Sequence, residues 1–506
     1  MIDYTVAFIQ LALSLVKHTE ILFYLIVSPL AGCLVLLFIP RSHERSLRYV
    51  ALAFSLASFL CSLIIWLLFT PISGATHFLY ILNWIEFINV DYTLGMDGVS
   101  LSFVLLTTFL TPLCLLLSWG SVHSYVKEYL LLFLLLESIL LHAFCALDVL
   151  LFYIFFESVL IPIFIIIGVW GSRQRKIRAA LQFFLYTLVG SLLILLAILS
   201  IYYETGSTNI LILSNFQFGE NQQFWLWLAF FVGFAVKIPM VPFHIWLPEA
   251  HAEAPTGGSV ILAGVLLKLG GYGFLRFAIP LFPHASVYFS PLVYVISIVA
   301  IIYASLTALR QVDLKKIIAY SSVAHIGYVT IGLFSFNTQG NEGSIILILG
   351  HGLVSSALFF CVGILYDRHQ TRILKYYGGL VQTMPLFCSL YFCFTIANAG
   401  FPGTSNFVGE MLVLTGVFQV NTTVAFISAI GLVLGIAYSL WLYNRVCFGS
   451  SRSHYIQATQ DLSRREFLIL ALLAVPIIWM GIYPSPFLDT FHASVEHMIK
   501  HIIKLL

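Results

Sequence analysis

Charge is what this sequence has least of: 9% of its 506 residues are Asp, Glu, Lys or Arg, against roughly one quarter in an ordinary globular domain. With 60% hydrophobic residues and a mean hydropathy of +0.99, too little polar surface remains to cover a water-exposed globule. Long polar stretches are also lacking. The longest segments between apolar runs, 70–97 and 203–221, are too short for a soluble domain. Neither CxxC nor HExxH occurs, and there is no phosphate loop ending in Gly-Lys-Ser/Thr and no strand-based dinucleotide fingerprint. No seat for a redox cofactor is therefore expected. The 8 cysteines, Cys33, Cys61, Cys114, Cys145 and Cys361 among them, fall mostly in apolar runs, where a thiol acts as a small hydrophobe rather than half of a disulfide framework. Gly270, Gly271 and Gly273 lie in such a run and read as helix packing, not a nucleotide loop. The first 20 residues lack the clear cationic region and cleavage site of a removed signal and read as an interfacial lead-in.

What is present is a repeated apolar run of about 20 residues, long enough to cross a hydrocarbon layer of roughly 30 Å as a helix. About fourteen such spans fit the chain. Counted in order, the odd connections carry Arg41, Arg45 and Arg48, then Lys127, Arg173, Arg175, Lys176 and Arg178, Arg310, Lys315 and Lys316, Arg368, Arg372 and Lys375, and finally Arg452, Arg464 and Arg465. The even ones carry acids such as Glu86, Asp91, Asp97, Asp148 and Glu342, with Arg276 just inside a span end. The positive-inside rule puts the odd loops on the cytoplasmic or matrix side and both termini opposite. Lys500 and Lys504 are a small exception at the tail.

Ionisable groups inside a span cost roughly 2.5–3.5 kcal/mol each on insertion scales, so they face protein or water. Seven stand out: Glu137, Glu157, Lys237, Lys268, His325, His351 and Glu410. Glu157, in FYIFFESVLIP, precedes Pro162, which frees a carbonyl and bends the helix near the acid. Lys237 is followed by Pro239 and Pro242, so its helix must distort there, and freed carbonyls are expected to steady the ammonium. Lys268 shares a face with Gly264 and Gly271, which leave room for water or a close neighbour. His325 and His351, near Ser321, Ser322, Ser355 and Ser356, suit a proton relay, against the plainer alternative of helix-to-helix hydrogen bonds. Gly400, Pro402 and Gly403 unsettle the helix before Glu410. Two interrupted spans, the seventh and the twelfth, five apart, are the pattern of internal repeats. Glu137 fits either a packing pair or a proton path. His244, Glu249, His251 and Glu253 form a loose metal-ligand set, or a rigid polar lid held by Pro248 and Pro255.

The stretches FYIFFESVLIP, FAVKIPMVPFHIWLPEAHAEAPTGGSVILAGVLLKLGGYG, AYSSVAHIGYV and ANAGFPGTSNFVGE resemble the subunit 4 family of proton-pumping NADH:ubiquinone oxidoreductase, respiratory complex I. The resemblance spans nearly the whole chain and is greatest to the mitochondrially encoded form. It implies an all-α, antiporter-like fold of about fourteen helices with two inverted five-helix repeats and broken helices 7 and 12. The expected divisions are 1–127, 128–279 for the first repeat, 290–447 for the second, and 448–506 for the last helix and a tail. It further implies that Glu157 and Lys237 form the pair of the first half-channel, that Lys268 is the central relay, and that His325 and His351 lead to Glu410. Siblings usually place lysine at that last position, so Glu410 favours this family. Other membrane-arm subunits and lipids are the expected partners, with no nucleic acid. NADH, FMN, iron–sulfur clusters and ubiquinone belong to other subunits. A monovalent cation/proton antiporter subunit and a purely structural anchor remain open, as do a plastid thylakoid or bacterial plasma membrane in place of the mitochondrial inner membrane.

Overall fold

The computed structural model describes residues 18–71, 74–450 and 460–506. Most of the expected lead-in, up to residue 17, and the loop cation Arg452 lie outside the described residues. The described chain is a helical membrane bundle in which 11 helices are long and apolar enough to cross a bilayer. In order these are α1 (Glu20–Phe38), α2 (Glu44–Leu68), α3 (Gly98–Ser121), α4 (Val126–Cys145), α5 (Val149–Trp170), α6 (Lys176–Thr205), then Thr256–Leu281, Ser290–Arg310, Thr338–His369, Thr422–Cys447 and Arg464–Ile482. Shorter or more polar helices lie between them: α7 (Glu220–Lys237) and α8 (Trp246–Glu253) precede Thr256–Leu281, here α9. Ser290–Arg310 is α10, followed by α11 (Leu314–Leu333), and Thr338–His369 is α12. Then come α13 (Pro385–Asn398), α14 (Ser405–Val420), α15 (Thr422–Cys447), α16 (Arg464–Ile482) and α17 (Ser485–Leu505).

Many of the rare polar residues start helices, where four backbone N–H groups have no partner within the helix. Asp97 Oδ1 accepts from Ser100 N at 2.9 Å, Asp148 Oδ1 from Leu150 N and Leu151 N, and Asp313 Oδ1 from Lys315 N. Asn337 and Asn421 cap α12 and α15, and Ser463 with Glu466 makes a reciprocal capping box on α16. In a chain this apolar, acids at helix starts do capping as well as mark the loop side.

Two elements depart from the sequence expectation. The segment expected as a connection, 70–97, forms an antiparallel hairpin, β1 (His77–Ile85) and β2 (Val90–Met96), turning at Asn89 with φ 49°. Its aromatic and β-branched residues satisfy their backbone in a two-stranded ladder. The tail after the last span is not a tail but α17, a 21-residue helix. It buries Phe491, Val495, Ile499 and Ile502 at helical spacing while keeping its lysines outward. His492 Nδ1 lies 2.5 Å from Glu342 Oε1 on α12, and this hydrogen bond raises the imidazole above its ordinary value. A raised histidine stabilises fully below its unfolded value and loses that contribution as pH rises through the folded one. Protection of α17 from hydrogen exchange, after correction for the base-catalysed rise of intrinsic exchange with pH, is therefore expected to fall as pH rises above the neutral range, and a His492→Gln variant should show no such fall.

Candidate functional site

Lys237, Lys268, His325, His351 and Glu410 are each between 1% and 4% exposed, and the local backbone explains how each is held. α9 carries two π-helical segments, Leu262–Leu266 and Phe274–Ala278, and Lys268 sits in the α-helical stretch between them. The wider π turn shifts the hydrogen-bond ladder, and the Lys268 ammonium donates to the Ala263 carbonyl. Its methylene stem lies along α12 at Gly352: a Cβ there would stand 3.4 Å from Lys268 Cε and 3.0 Å from the Gly264 carbonyl. Glycine on both helices makes that approach possible.

From Lys268 a row of polar groups leads into the second half of the chain. Lys268 Nζ is 3.0 Å from His351 Nδ1 on α12, and His351 Nε2 is 3.1 Å from Ser322 Oγ on α11. The His351 and His325 rings are 5.5 Å apart at 38°. His325 Nδ1 is 3.0 Å from Glu410 Oε1 on α14, and its Nε2 is 3.1 Å from the Tyr438 hydroxyl on α15. Each imidazole thus has a partner on both nitrogens, the condition for accepting on one side and donating on the other. Glu410 is packed from behind by Gly400, held at φ 69° between α13 and α14, where any Cβ would collide with Glu410 Oε2.

Glu157 and Lys237 are not in direct contact with this row. Pro162 lies one turn beyond Glu157, and α5 is irregular at Val159. Among the described residues, neither Glu157 Oε1 nor Lys237 Nζ has a hydrogen-bond partner. The ammonium lies 4.4 Å from the centre of the Phe156 ring, a cation–π contact. The carbonyls expected to steady Lys237 do not: α7 stops at Lys237, and the Val236 carbonyl is taken by the Trp246 indole N–H at 2.9 Å. Among the described residues the two side chains form no ion pair with one another.

Glu137 lies elsewhere. It is fully buried on α4, accepts from the Ser58 hydroxyl of α2, and leaves Oε2 without a hydrogen-bond partner among the described residues. Among the described residues no hydrogen bond or ion pair links it to the Lys268 row. The loose metal-ligand set is dispersed: Glu249 pairs with Lys316 at 2.5 Å, His251 stacks on Phe359 at 4.6 Å, and Glu253 faces Arg372 at 4.0 Å.

Three residues were not singled out by sequence. Tyr438 carries no charge and sits in an apolar run, so only its hydroxyl, three residues after Gly435, marks it. Lys315 and Arg372 read as loop cations, yet they are 2% and 1% exposed. Lys315 Nζ donates to the Ala254 carbonyl at 2.7 Å, and Arg372 donates to the Ala252 carbonyl and faces Asp313 at 3.9 Å. They tie the end of α8 to the start of α11.

A family model described as "NADH:quinone oxidoreductase/Mrp antiporter, TM" matches residues 146–436, which contain every member of the row except Tyr438. The fold and the enclosed polar row thus define an antiporter-like membrane subunit. NADH-ubiquinone oxidoreductase chain 4 of Marchantia polymorpha is 59% identical over 94% of this chain and 96% of its own length. NADH-quinone oxidoreductase subunit M of Rhodobacter capsulatus is 47% identical over 94% and 95%. The chain belongs to the NADH-ubiquinone oxidoreductase chain 4 family. Among solved structures, a chain of respiratory complex I from Thermus thermophilus with bound NADH superposes with a TM-score of 0.87 at 29% identity, covering 95% of this chain and 99% of that one. A chain of the Mrp complex from Dietzia sp. DQ12-45-1b gives 0.84 at 18% identity, covering 96% and 99%, a likeness of fold alone.

Proposed function

We propose that this chain is a proton-translocating membrane-arm subunit of NADH:ubiquinone oxidoreductase, a non-redox part of that enzyme, in the mitochondrial inner membrane. One observation carries the proposal: a buried row of exchangeable groups, Lys268, His351, His325 and Glu410, with Ser322 beside His351, crosses from α9 to α14 at hydrogen-bond spacing apart from the single step between the two imidazoles. NADH, FMN, iron–sulfur clusters and ubiquinone belong to the partner subunits, and this chain supplies the proton path.

In this reading the 11 spans become fourteen when α7 with α8, α11, and α13 with α14 are counted. The seventh and twelfth are the broken ones, and residues 128–279 and 290–447 form inverted repeats. Helix breaks beside Lys237 and before Glu410 support that pairing. When Lys237 is drawn towards Glu157, its field at Lys268 weakens and Lys268 retains its proton. When the pair opens, the field returns and the proton moves from Lys268 Nζ to His351 Nδ1, then by a bridging water across the gap between the two imidazole rings, 5.5 Å between centres, to His325 and on to Glu410. Each proton moved against 100 mV requires about 2.3 kcal/mol, which the redox subunits provide by driving the opening and closing.

His351→Ala in the assembled complex tests this. Proton release coupled to NADH oxidation is expected to fall several-fold but not vanish, because water can bridge part of the space vacated by the imidazole. Unchanged proton release would contradict a path through His351. An antiporter driven by another gradient would instead respond to Na⁺ or K⁺.

A further inference from the structure

We infer that the cationic-loop face of the second half holds a binding site for the phosphodiester headgroup of an anionic phospholipid, built by Arg310, Lys375 and Arg445. A cavity of about 660 Å³ opens there, walled by the end of α10, the segment 374–378 and the end of α15. Its described lining contains these three cations and no acid. Among the described residues, neither Arg310 nor Arg445 forms an ion pair with an acid. The walls are fixed rather than fluid: Leu374 N donates to the Val312 carbonyl at 2.9 Å and Gly379 N to the Phe448 carbonyl at 3.1 Å. Arg445 rests its guanidinium 6.0 Å from the Trp441 ring, an aromatic of the kind that sits at headgroup level.

Charge alone would suit any anion; the surface below the cavity selects a lipid. Leu306, Tyr303 and Val299 follow Arg310 down α10 at spacings of four, seven and eleven residues, and are 49%, 48% and 44% exposed. On α15, Val433 and Ile430 stand below Trp441 and are 68% and 45% exposed. Both helices end at the cavity and pack on one another at Ile301 and Gly431, so the two stripes run away from it on the outward faces of the pair, into the membrane. A basic pocket over two apolar tracks complements a phosphodiester with acyl chains. A soluble phosphate would leave the tracks unused, and an acidic protein segment would need to match both.

The test uses the intact complex in phosphatidylcholine vesicles doped with either a photoactivatable phosphatidylglycerol or a photoactivatable phosphatidylcholine. The glycerol lipid is expected to label peptides carrying Leu306 or Trp441 preferentially, and the double variant Arg310→Gln/Arg445→Gln to reduce that labelling by about tenfold or more. Inorganic phosphate in excess should not compete. Equal labelling by the two lipids would overturn the site as headgroup-specific, and competition by phosphate would reassign it to a free anion. Exclusion of both lipids, with cross-links from this face to an acidic segment of a neighbouring subunit, would reassign it to protein. Should the variant fail to assemble, the comparison of the two lipids on the unaltered complex decides the matter.

Discussion

Replacing Lys268 with Ala is expected to lower proton release coupled to NADH oxidation by roughly two orders of magnitude, with the complex still assembled. The ammonium is the group that joins α9 to the histidine row: it donates to the Ala263 carbonyl and meets His351 Nδ1 at 3.0 Å. Truncation leaves His351 without that partner and opens a space lined by Gly352 and Gly264, in which no ionisable group takes its place. Lys268→Arg should rescue poorly. The stem lies close against Gly352 and the Gly264 carbonyl, and a planar guanidinium that does not readily release its proton is a poor substitute for a titrating amine. Proton release in sealed vesicles, measured beside the amount of assembled complex, checks both variants. Undiminished release by Lys268→Ala would remove Lys268 from the path.

Arg372→Ala is expected to act on stability instead, costing about 3–5 kcal/mol and lowering the thermal midpoint and yield of the complex. Arg372 is 1% exposed, donates to the Ala252 carbonyl, and lies between Glu253 at 4.0 Å and Asp313 at 3.9 Å, with its guanidinium 5.4 Å from the Tyr366 ring. Burial pulls the guanidinium below the ordinary arginine value, and Asp313 acts against that shift. Its own carbonyl accepts from Leu314 N at 2.9 Å, so the residue holds α11 to α8 by backbone and side chain together. Removal leaves a nearly buried Glu253 with its cation gone, which is the expensive half of breaking a buried pair. Thermal unfolding followed by in-gel activity would read the loss, and an unchanged midpoint would show the cluster to be energetically neutral.

The membrane bundle was legible because a run of apolar residues has one physical outcome in a bilayer, and because helix ends are marked by caps such as Asp97, Asp148 and Asn421. The hairpin was not, since HFLYILNWI is short and aromatic and its strand character depends on pairing with β2 across the turn. Nor was α17, whose amphipathic pattern follows directly after an apolar span. At the site, the cost of a buried charge drew attention to Lys268 and Glu410, but Tyr438 carries none, and its role as partner to His325 depends on how α11 packs beside α15. Lys315 and Arg372 misled in the opposite sense: in sequence they punctuate loops, and tertiary packing buries them. The proline pair after Lys237 pointed to freed carbonyls, whereas the Val236 carbonyl is satisfied by Trp246, and the ammonium lies on Phe156.

The central claim is that Lys268 and Glu410 are stations of one path. Proton release per NADH in sealed vesicles, compared for Lys268→Ala, Glu410→Gln and the double variant at equal assembly, tests it most directly. A single path predicts that each single variant is as deficient as the double. Single variants that each keep about half of the wild-type release, with the double losing both halves, would mean two parallel paths and contradict the row described here.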